Sequence, residues 1–177
     1  MCSSFHHCVD FTFSAQTSAN QTQDIIDANL TTFIVGIVLY DVPGRTGVGL
    51  TAETIGRLAE HPRIVGLKAA SGSVSFVSDV LDVCDLAVLS GDDPLTLAIQ
   101  CHGGVGVISV VSNLIPEHMA ALCSAANCGD LARARAIHQR YRELAIALVS
   151  LDSNPVPLKT AMAMFDRDSG VVRPPLA

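Results

Sequence analysis

The chain has 177 residues, of which 49% are hydrophobic and 16% are charged, a composition that supplies enough apolar material for one packed core. Its formal net charge of −6 leaves no basic face for a phosphate backbone, so we expect no nucleic-acid partner. The longest apolar run, Phe33–Tyr40, is far shorter than the roughly twenty residues that a membrane span needs, and we expect no membrane partner either.

Residues 1–36 differ in composition from the rest of the chain, because they are rich in Ser, Thr, Gln, Asn and His. We interpret them as a divergent N-terminal segment, with disorder as one reading of their polarity. A zinc site built from Cys2, His6, His7 and Cys8 is an alternative, but their spacing matches no usual ligand pattern, and we predict no metal. The six cysteines form no C-x-x-C pair and follow no secretory signal, which predicts reduced, buried thiols in a cytoplasmic protein.

From residue 37 onward, short apolar runs alternate with helical patterns. The predicted strands are residues 37–42, 64–69, 86–90 and 106–111, and the predicted helices between them are residues 51–60, residues 73–83 and a helix opening at Asp93-Pro94. None of the strands alternates apolar with polar residues, so we expect all four to be buried on both faces, as in a parallel sheet flanked by helices. After the fourth strand the pattern is helical only, with helices predicted at 116–126, 130–151 and 157–165.

Polar and glycine residues cluster directly after each predicted strand, at residues 41–47, 71–72, 91–93 and 112–113. In β/α proteins this is the carboxyl end of the strands, where sites are built. The paired carboxylates Asp92 and Asp93 precede Pro94, and we interpret them as helix caps rather than as an acid/base pair.

Three side chains lie near the carboxyl ends of the predicted strands, which we call the rim, and they suggest amine chemistry. A lysine at the end of a buried strand, as Lys68 is, loses hydration, which disfavours the ammonium form and can lower the pKa of such a group towards ~7 to 8, where the free amine can attack a carbonyl. Tyr40 could shuttle protons, and Arg45 offers a donor fork matched to a carboxylate. The plainer alternative is that Lys68 extends its amine to solvent from a strand end. The pattern predicts attack on a carbonyl substrate that carries a carboxylate.

Five motifs resemble the dihydrodipicolinate synthase family of pyruvate-dependent aldolases. They are Tyr40–Gly47 (YDVPGRTG), Gly66–Gly72 (GLKAASG), Ser90–Asp93 (SGDD), Gly103–Val110 (GGVGVISV) and Asn154–Lys159 (NPVPLK). The resemblance implies an α/β fold, a (β/α)8 barrel followed by a helical region, usually in a homo-oligomer. For this chain it implies the second half of a TIM barrel, about four β-α units at residues 37–114, and a helical C-terminal region at 115–177.

The resemblance also implies residue roles. Lys68 would form a Schiff base with pyruvate without any cofactor, and Tyr40 would relay protons. Arg45 would hold the carboxylate of aspartate semialdehyde, while Gly91 and Ile108 would line the pyruvate pocket, the latter through its main chain. The implied activity is that of a lyase in lysine and diaminopimelate biosynthesis, 4-hydroxy-tetrahydrodipicolinate synthase.

The sequence departs from the family pattern in two respects. The residue after the lysine is typically glutamate but is Ala69 here, which removes a carboxylate that could form hydrogen bonds. The sequence also looks truncated at both ends: we find no counterpart of the first barrel half, of the threonine pair that binds pyruvate, of the tyrosine lent by a neighbouring subunit, or of the last helix. The alternatives are therefore an inactive half-barrel fragment, a small-molecule binder without turnover, or another aldolase of the N-acetylneuraminate lyase type. Against the last, that enzyme lacks the Gly-Arg-Thr element around Arg45.

Overall fold

The structure, a computed structural model, describes residues 12–13 and 36–176. Its centre is a parallel sheet of five strands in sequential order: β1 (Thr12–Phe13), β2 (Ile37–Asp41), β3 (Ile64–Ala69), β4 (Ala87–Ser90) and β5 (Gly106–Val107). The α-helices are α1 (Pro43–Thr46), α2 (Ala52–Ala59), α3 (Val74–Leu81), α4 (Thr96–Cys101), α5 (Pro116–Asn127), α6 (Leu131–Ser150) and α7 (Val156–Ala163), with short 3₁₀ turns at Asp93–Leu95 and Val111–Asn113. The predicted α/β class, a partial barrel followed by helices, is confirmed.

Side-chain caps start helices where the sequence predicted them. Thr51 Oγ1 accepts a hydrogen bond from Thr54 N at 3.1 Å, which starts α2. Asp130 caps α6 in the same way by accepting from Arg133 N at 3.1 Å. Gly129, with φ of 78°, separates α5 from α6, because this left-handed backbone conformation costs glycine little.

The two faces of the sheet differ, which corrects the expectation that every strand is buried on both faces. Successive strand residues point to opposite faces. The outer face carries Leu39, Leu67 and Val88, which are 5%, 0% and 0% exposed and pack with residues of α2, α3 and α4. The inner face carries Val38, Tyr40, Lys68 and Leu89, all only partly buried. In the described part of the chain, helices cover one face alone.

The fourth predicted strand is shorter than expected. Residues 106–111 were predicted as a strand, but β5 ends at Val107. The reason is Asp93, whose Oδ2 accepts hydrogen bonds from Val110 N at 2.8 Å and Val111 N at 3.2 Å and so draws these amides out of the sheet ladder. The capping role expected of the two aspartates is also wrong, since Asp92, at the N-cap position, makes no side-chain capping bond.

The C-terminal helices form a second apolar cluster. It contains Val111, Met119, Leu122, Ala125, Ala134, Ala145 and Leu148.

No helix in the described residues is both long enough and apolar enough to span a bilayer. The described residues include four cysteines, all of them free thiols. Two of these, Cys101 and Cys128, are exposed and not buried as predicted.

Most of the segment 1–36 lies outside the described residues, and so do the four residues of the alternative zinc site. Within that segment, Thr12 and Phe13 pair in parallel with Val38 and Leu39. The predicted boundaries at residues 36 and 114 remain predictions.

Asp41 ends β2 as a buried carboxylate, 2% exposed. Its Oδ1 accepts a hydrogen bond from Leu50 N at 2.9 Å and so fixes the loop between α1 and α2. Burial raises the pKa of this carboxyl group above its ordinary value, and the Leu50 hydrogen bond opposes that effect in part.

The partly exposed inner face and the two sheet edges, β1 and β5, lead to a first prediction. Unpaired parallel edges and uncovered apolar side chains favour association. We expect the isolated 177-residue chain to self-associate in sedimentation velocity, in a concentration-dependent manner. A monodisperse monomer over a tenfold concentration range would contradict this expectation.

Replacing Asp41 with Asn tests the cost of its burial. A raised carboxyl pKa in the folded state means that this group stabilises the fold in its protonated form and loses that contribution as pH rises through the folded pKa. Asp41→Asn keeps an acceptor for Leu50 N and removes the charge, so its melting temperature should exceed that of the parent chain at pH 7. The difference should shrink as pH approaches 3.8, the ordinary carboxyl pKa.

The matched control is Asp85→Asn, which changes an exposed aspartate. Equal melting shifts in the two variants at pH 7, or a shift for Asp41→Asn that does not depend on pH, would show that burial of Asp41 carries no such cost.

Candidate active site

Tyr40 and Lys68 meet because of strand register. They are paired across β2 and β3, and residues paired in adjacent parallel strands point to the same face. Lys68 Nζ lies 4.2 Å from the centroid of the Tyr40 ring. At this distance the ring face attracts an ammonium group, so the contact holds the lysine end against the phenol.

The Tyr40 phenol keeps its proton at neutral pH. Burial raises its pKa above 10.0, the ordinary value, while the positive charge of Arg45 acts in the opposite direction. At neutral pH the side chain is therefore a neutral phenol, which can donate its proton and accept another.

Gly91, directly after β4, leaves room for the lysine. A Cβ atom at this position would lie 3.0 Å from both Cγ and Cε of Lys68 and 2.7 Å from Cβ of Ala70. Any larger residue would therefore displace the Lys68 side chain or the neighbouring loop. Gly91 N also donates to Ala69 O at 2.6 Å, which fixes the turn beside the lysine.

Main-chain hydrogen bonds continue past the strand ends and join the loops of the rim. Ala70 N donates to Asp41 O at 2.9 Å, and Ile108 N donates to Ser90 O at 2.8 Å. The backbone at Ile108 is therefore held against the end of β4, next to Gly91. Of the five predicted site residues, Tyr40, Lys68, Gly91 and Ile108 lie along the ends of four successive strands.

Arg45 lies farther out, exposed on the short helix α1. Its Nη2 donates to the main-chain oxygen of Asn154 at 3.3 Å, just before α7. The guanidinium thus bridges the loop after β2 and the C-terminal helical region. Sequence reasoning singled out the Asn154 motif but assigned it no role, because a contact over 109 positions leaves no local signal.

Four buried side-chain polar atoms have no hydrogen-bond partner among the described residues, and two of them, Ser71 Oγ and Asn154 Oδ1, lie near the residues described above. Ser71 follows the lysine strand, and Asn154 adjoins Arg45. Such atoms are available to a polar ligand, because leaving them unpaired has a desolvation cost. Within the same described region, no cluster of three or more His, Cys, Asp or Glu is arranged to hold a metal ion.

Ala69 faces away from the lysine. It is 2% exposed and belongs to the apolar cluster under the outer face. Lys68, one residue earlier, points to the inner face. The alanine at this position thus extends the packed core and takes no part in the surroundings of the Lys68 amine.

Known proteins match this chain along most of its length. The sequence profile of the Dihydrodipicolinate synthetase family matches residues 15–177, beginning upstream of the first motif identified above. The 4-hydroxy-tetrahydrodipicolinate synthase of Oleidesulfovibrio alaskensis is 46% identical over 142 residues, which are 78% of this chain and 48% of that protein.

Solved structures agree with the sequence match. The 4-hydroxy-tetrahydrodipicolinate synthase of Methylacidiphilum fumariolicum SolV superposes with a TM-score of 0.88 at 38% identity, over 91% of this chain and 54% of that one. A chloride-inhibited dihydrodipicolinate synthase of Acinetobacter baumannii, complexed with pyruvate, gives a TM-score of 0.86 at 33% identity, over 91% and 56% of the two chains.

The chain spans about half the length of these relatives. The part that it does span carries the family's sequence profile from residue 15 to the last residue, and the same fold. The protein belongs to the Dihydrodipicolinate synthetase family.

Proposed function

We propose that this chain is a Schiff-base lyase that condenses pyruvate with aspartate semialdehyde to give 4-hydroxy-tetrahydrodipicolinate. The observation that carries the proposal is the contact between Lys68 Nζ and the Tyr40 ring, 4.2 Å from its centroid, at the paired ends of two parallel strands. A primary amine beside a neutral phenol is the pairing that imine formation requires, a nucleophile with a proton donor and acceptor.

The first step uses these two side chains alone. After Lys68 has lost its proton, its amine adds to the keto carbon of pyruvate while the keto oxygen takes up a proton. The resulting carbinolamine loses water, and the nitrogen becomes an imine. In the addition, and again in the dehydration, Tyr40 supplies a proton to the oxygen and takes one back from the nitrogen, so the phenol ends each stage unchanged. Because the lysine itself supplies the covalent activation, this role needs no cofactor.

The other predicted residues give the pocket its selectivity. Gly91 packs against the Lys68 stem, and the main chain of Ile108 adjoins the same strand end, which suits a small keto acid better than a bulky one. Arg45, outside this centre, is the group we assign to the carboxylate of the semialdehyde. The name of the Oleidesulfovibrio alaskensis relative supports the product, 4-hydroxy-tetrahydrodipicolinate, and the Acinetobacter baumannii enzyme was crystallised with pyruvate.

The remaining parts of the proposal concern assembly and compartment. We assign the chain to a homo-oligomer, because its inner face and sheet edges are incompletely covered in the described part. We assign it to the cytoplasm, where the four free cysteines of that part would stay reduced.

A second candidate is a half-barrel that no longer turns over. The observation that favours it is the partly exposed inner face of a chain that spans about half the length of its relatives. Such a protein could still bind pyruvate at Lys68 as a ligand. Formation of the imine and turnover with the semialdehyde are therefore separate measurements, and only the second distinguishes an enzyme from a binder.

The sequence is suited to a direct test of the imine, because it contains only two lysines, Lys68 and Lys159. Lys159 is held in an ion pair with Asp168 at 2.7 Å. We expect pyruvate with borohydride to add one reduced pyruvate to the chain, at Lys68 in peptide mass mapping. Lys68→Arg should abolish the adduct, and the matched control Lys159→Arg should leave it unchanged.

An adduct that maps to Lys159 or to the terminal amine, or that survives in Lys68→Arg, would refute the proposed role of Lys68. Adduct formation without consumption of aspartate semialdehyde by the parent chain would favour the pyruvate binder over the lyase.

Replacing Tyr40 with Phe tests the proton relay separately from the lysine. The phenylalanine ring still supports the Lys68 end, but it can carry no proton. Since general acid–base catalysis typically contributes about 10²–10⁴-fold, the rate of adduct formation should fall by at least about 100-fold, while saturating pyruvate still gives the same final adduct. Tyr141→Phe, which changes the only other tyrosine, is the control. Equal rates in the parent chain and Tyr40→Phe would remove Tyr40 from the mechanism.

A further inference from the structure

Asp93 is a buried carboxylate, 4% exposed, in the 3₁₀ turn between β4 and α4. It does not cap its own helix. Its Oδ2 instead accepts two main-chain hydrogen bonds from a segment seventeen and eighteen residues away, from Val110 N at 2.8 Å and Val111 N at 3.2 Å. A single carboxylate oxygen thus joins the loop after β4 to the loop after β5.

The other oxygen of the Asp93 carboxylate, Oδ1, is buried without a hydrogen bond from the described residues to offset its loss of hydration. A cavity of about 10 Å³ next to Asp93, large enough for roughly one water, is lined also by Met119, His138 and Tyr141. The nearby Cys123 thiol stays protonated at neutral pH, because burial, followed by the charge of Asp93, raises its pKa to about 11. Burying a carboxylate oxygen without a partner costs free energy of folding. We therefore expect Asp93 to have a role other than packing.

The two segments that Asp93 joins are the ones that carry the predicted pyruvate pocket. Gly91 lies two residues before Asp93, and Ile108 lies two residues before Val110. The hydrogen bond from Ile108 N to Ser90 O, at 2.8 Å, fixes only one end of the second segment, and the bonds to Asp93 fix the other. Without Asp93, the main chain after Ile108 would have no buried acceptor for its amides at this point.

We propose that Asp93 is a positioning residue for the keto-acid pocket. It holds the main chain at Ile108 at a fixed distance from Gly91 and Lys68 by accepting the Val110 and Val111 amides. The inference rests on the proposed function, because the pocket is the one that pyruvate would occupy. What the role requires is an acceptor oxygen, not the negative charge, because both contacts are made to main-chain amides.

The test compares two variants at this position. Asp93→Asn keeps an oxygen acceptor and offers its NH₂ group to the unpaired side, whereas Asp93→Ala removes the acceptor. Asp93→Ala leaves two main-chain amides without their acceptor, and a tenfold change in half-saturation corresponds to about 1.4 kcal/mol, within the range that leaving buried groups unpaired costs. We therefore expect the pyruvate concentration that half-saturates borohydride trapping to rise at least about tenfold in Asp93→Ala and to stay within about threefold in Asp93→Asn.

Two further measurements separate positioning from general stability. Final adduct yield at saturating pyruvate should be retained in both variants, because Lys68 itself is untouched. Hydrogen exchange of the Val110 and Val111 amides should accelerate in Asp93→Ala and stay slow in Asp93→Asn. Asp79→Asn, a change of an exposed aspartate on α3, should alter neither half-saturation nor exchange.

The possible outcomes are distinguishable. A parent chain that traps no pyruvate refutes the proposed function, and exchange at Val110 and Val111 then still decides whether Asp93 anchors this loop. A parent chain that traps pyruvate with the same half-saturation as Asp93→Ala overturns the positioning role while leaving the proposed function intact. An equal rise in the half-saturating pyruvate concentration in Asp93→Ala and Asp93→Asn would also overturn the positioning role, because the charge and not the acceptor would then matter.

Discussion

The structure depends on the parallel register between β2 and β3, which pairs Tyr40 with Lys68. Side chains alternate between the two faces of a strand, so a slip of one residue would send one partner into the outer core and leave the other on the inner face. The register is fixed by the outer face, where Leu39 and Leu67 are 5% and 0% exposed among the helices. A packing requirement on one side of the sheet thus sets the chemistry on the other.

The contacts that place Tyr40 beside Lys68 lie within the described residues of a chain that spans about half the length of its relatives. The outer core is supplied by helices that follow each strand locally, and the rim is joined by main-chain hydrogen bonds between neighbouring loops, such as Ile108 N to Ser90 O. Both sets of contacts are made among the described residues. On the inner face, Val38 and Leu89 are only partly buried in this part of the chain.

Sequence reasoning was accurate where the determining interactions are local. Caps such as Thr51 and Asp130, and the strand that ends near Lys68, follow from neighbouring residues, and both appear in the structure. Two of the differences concern long-range partners, whereas the missing side-chain cap at Asp92 is a local one. Asp93 accepts a hydrogen bond from the Val110 amide beyond the early end of β5. The residues around Val110 contain no pattern that predicts a carboxylate partner seventeen residues away. The exposure of the inner face cannot be predicted from the strands themselves, because an apolar strand has the same sequence whether or not its second face is covered. It follows only from the half-barrel that the family resemblance implies.

We propose that Lys68 and Tyr40, brought together by strand register, form a keto-acid site in this chain. A crystal structure of the 177-residue protein after treatment with pyruvate and borohydride would test this directly. We expect continuous density from Lys68 Nζ to the former keto carbon, with the Tyr40 hydroxyl within hydrogen-bonding reach of the new centre and Gly91 against the lysine stem. Density that ends at an unmodified Lys68, or a Lys68 side chain on the opposite face of the sheet from Tyr40, would contradict it.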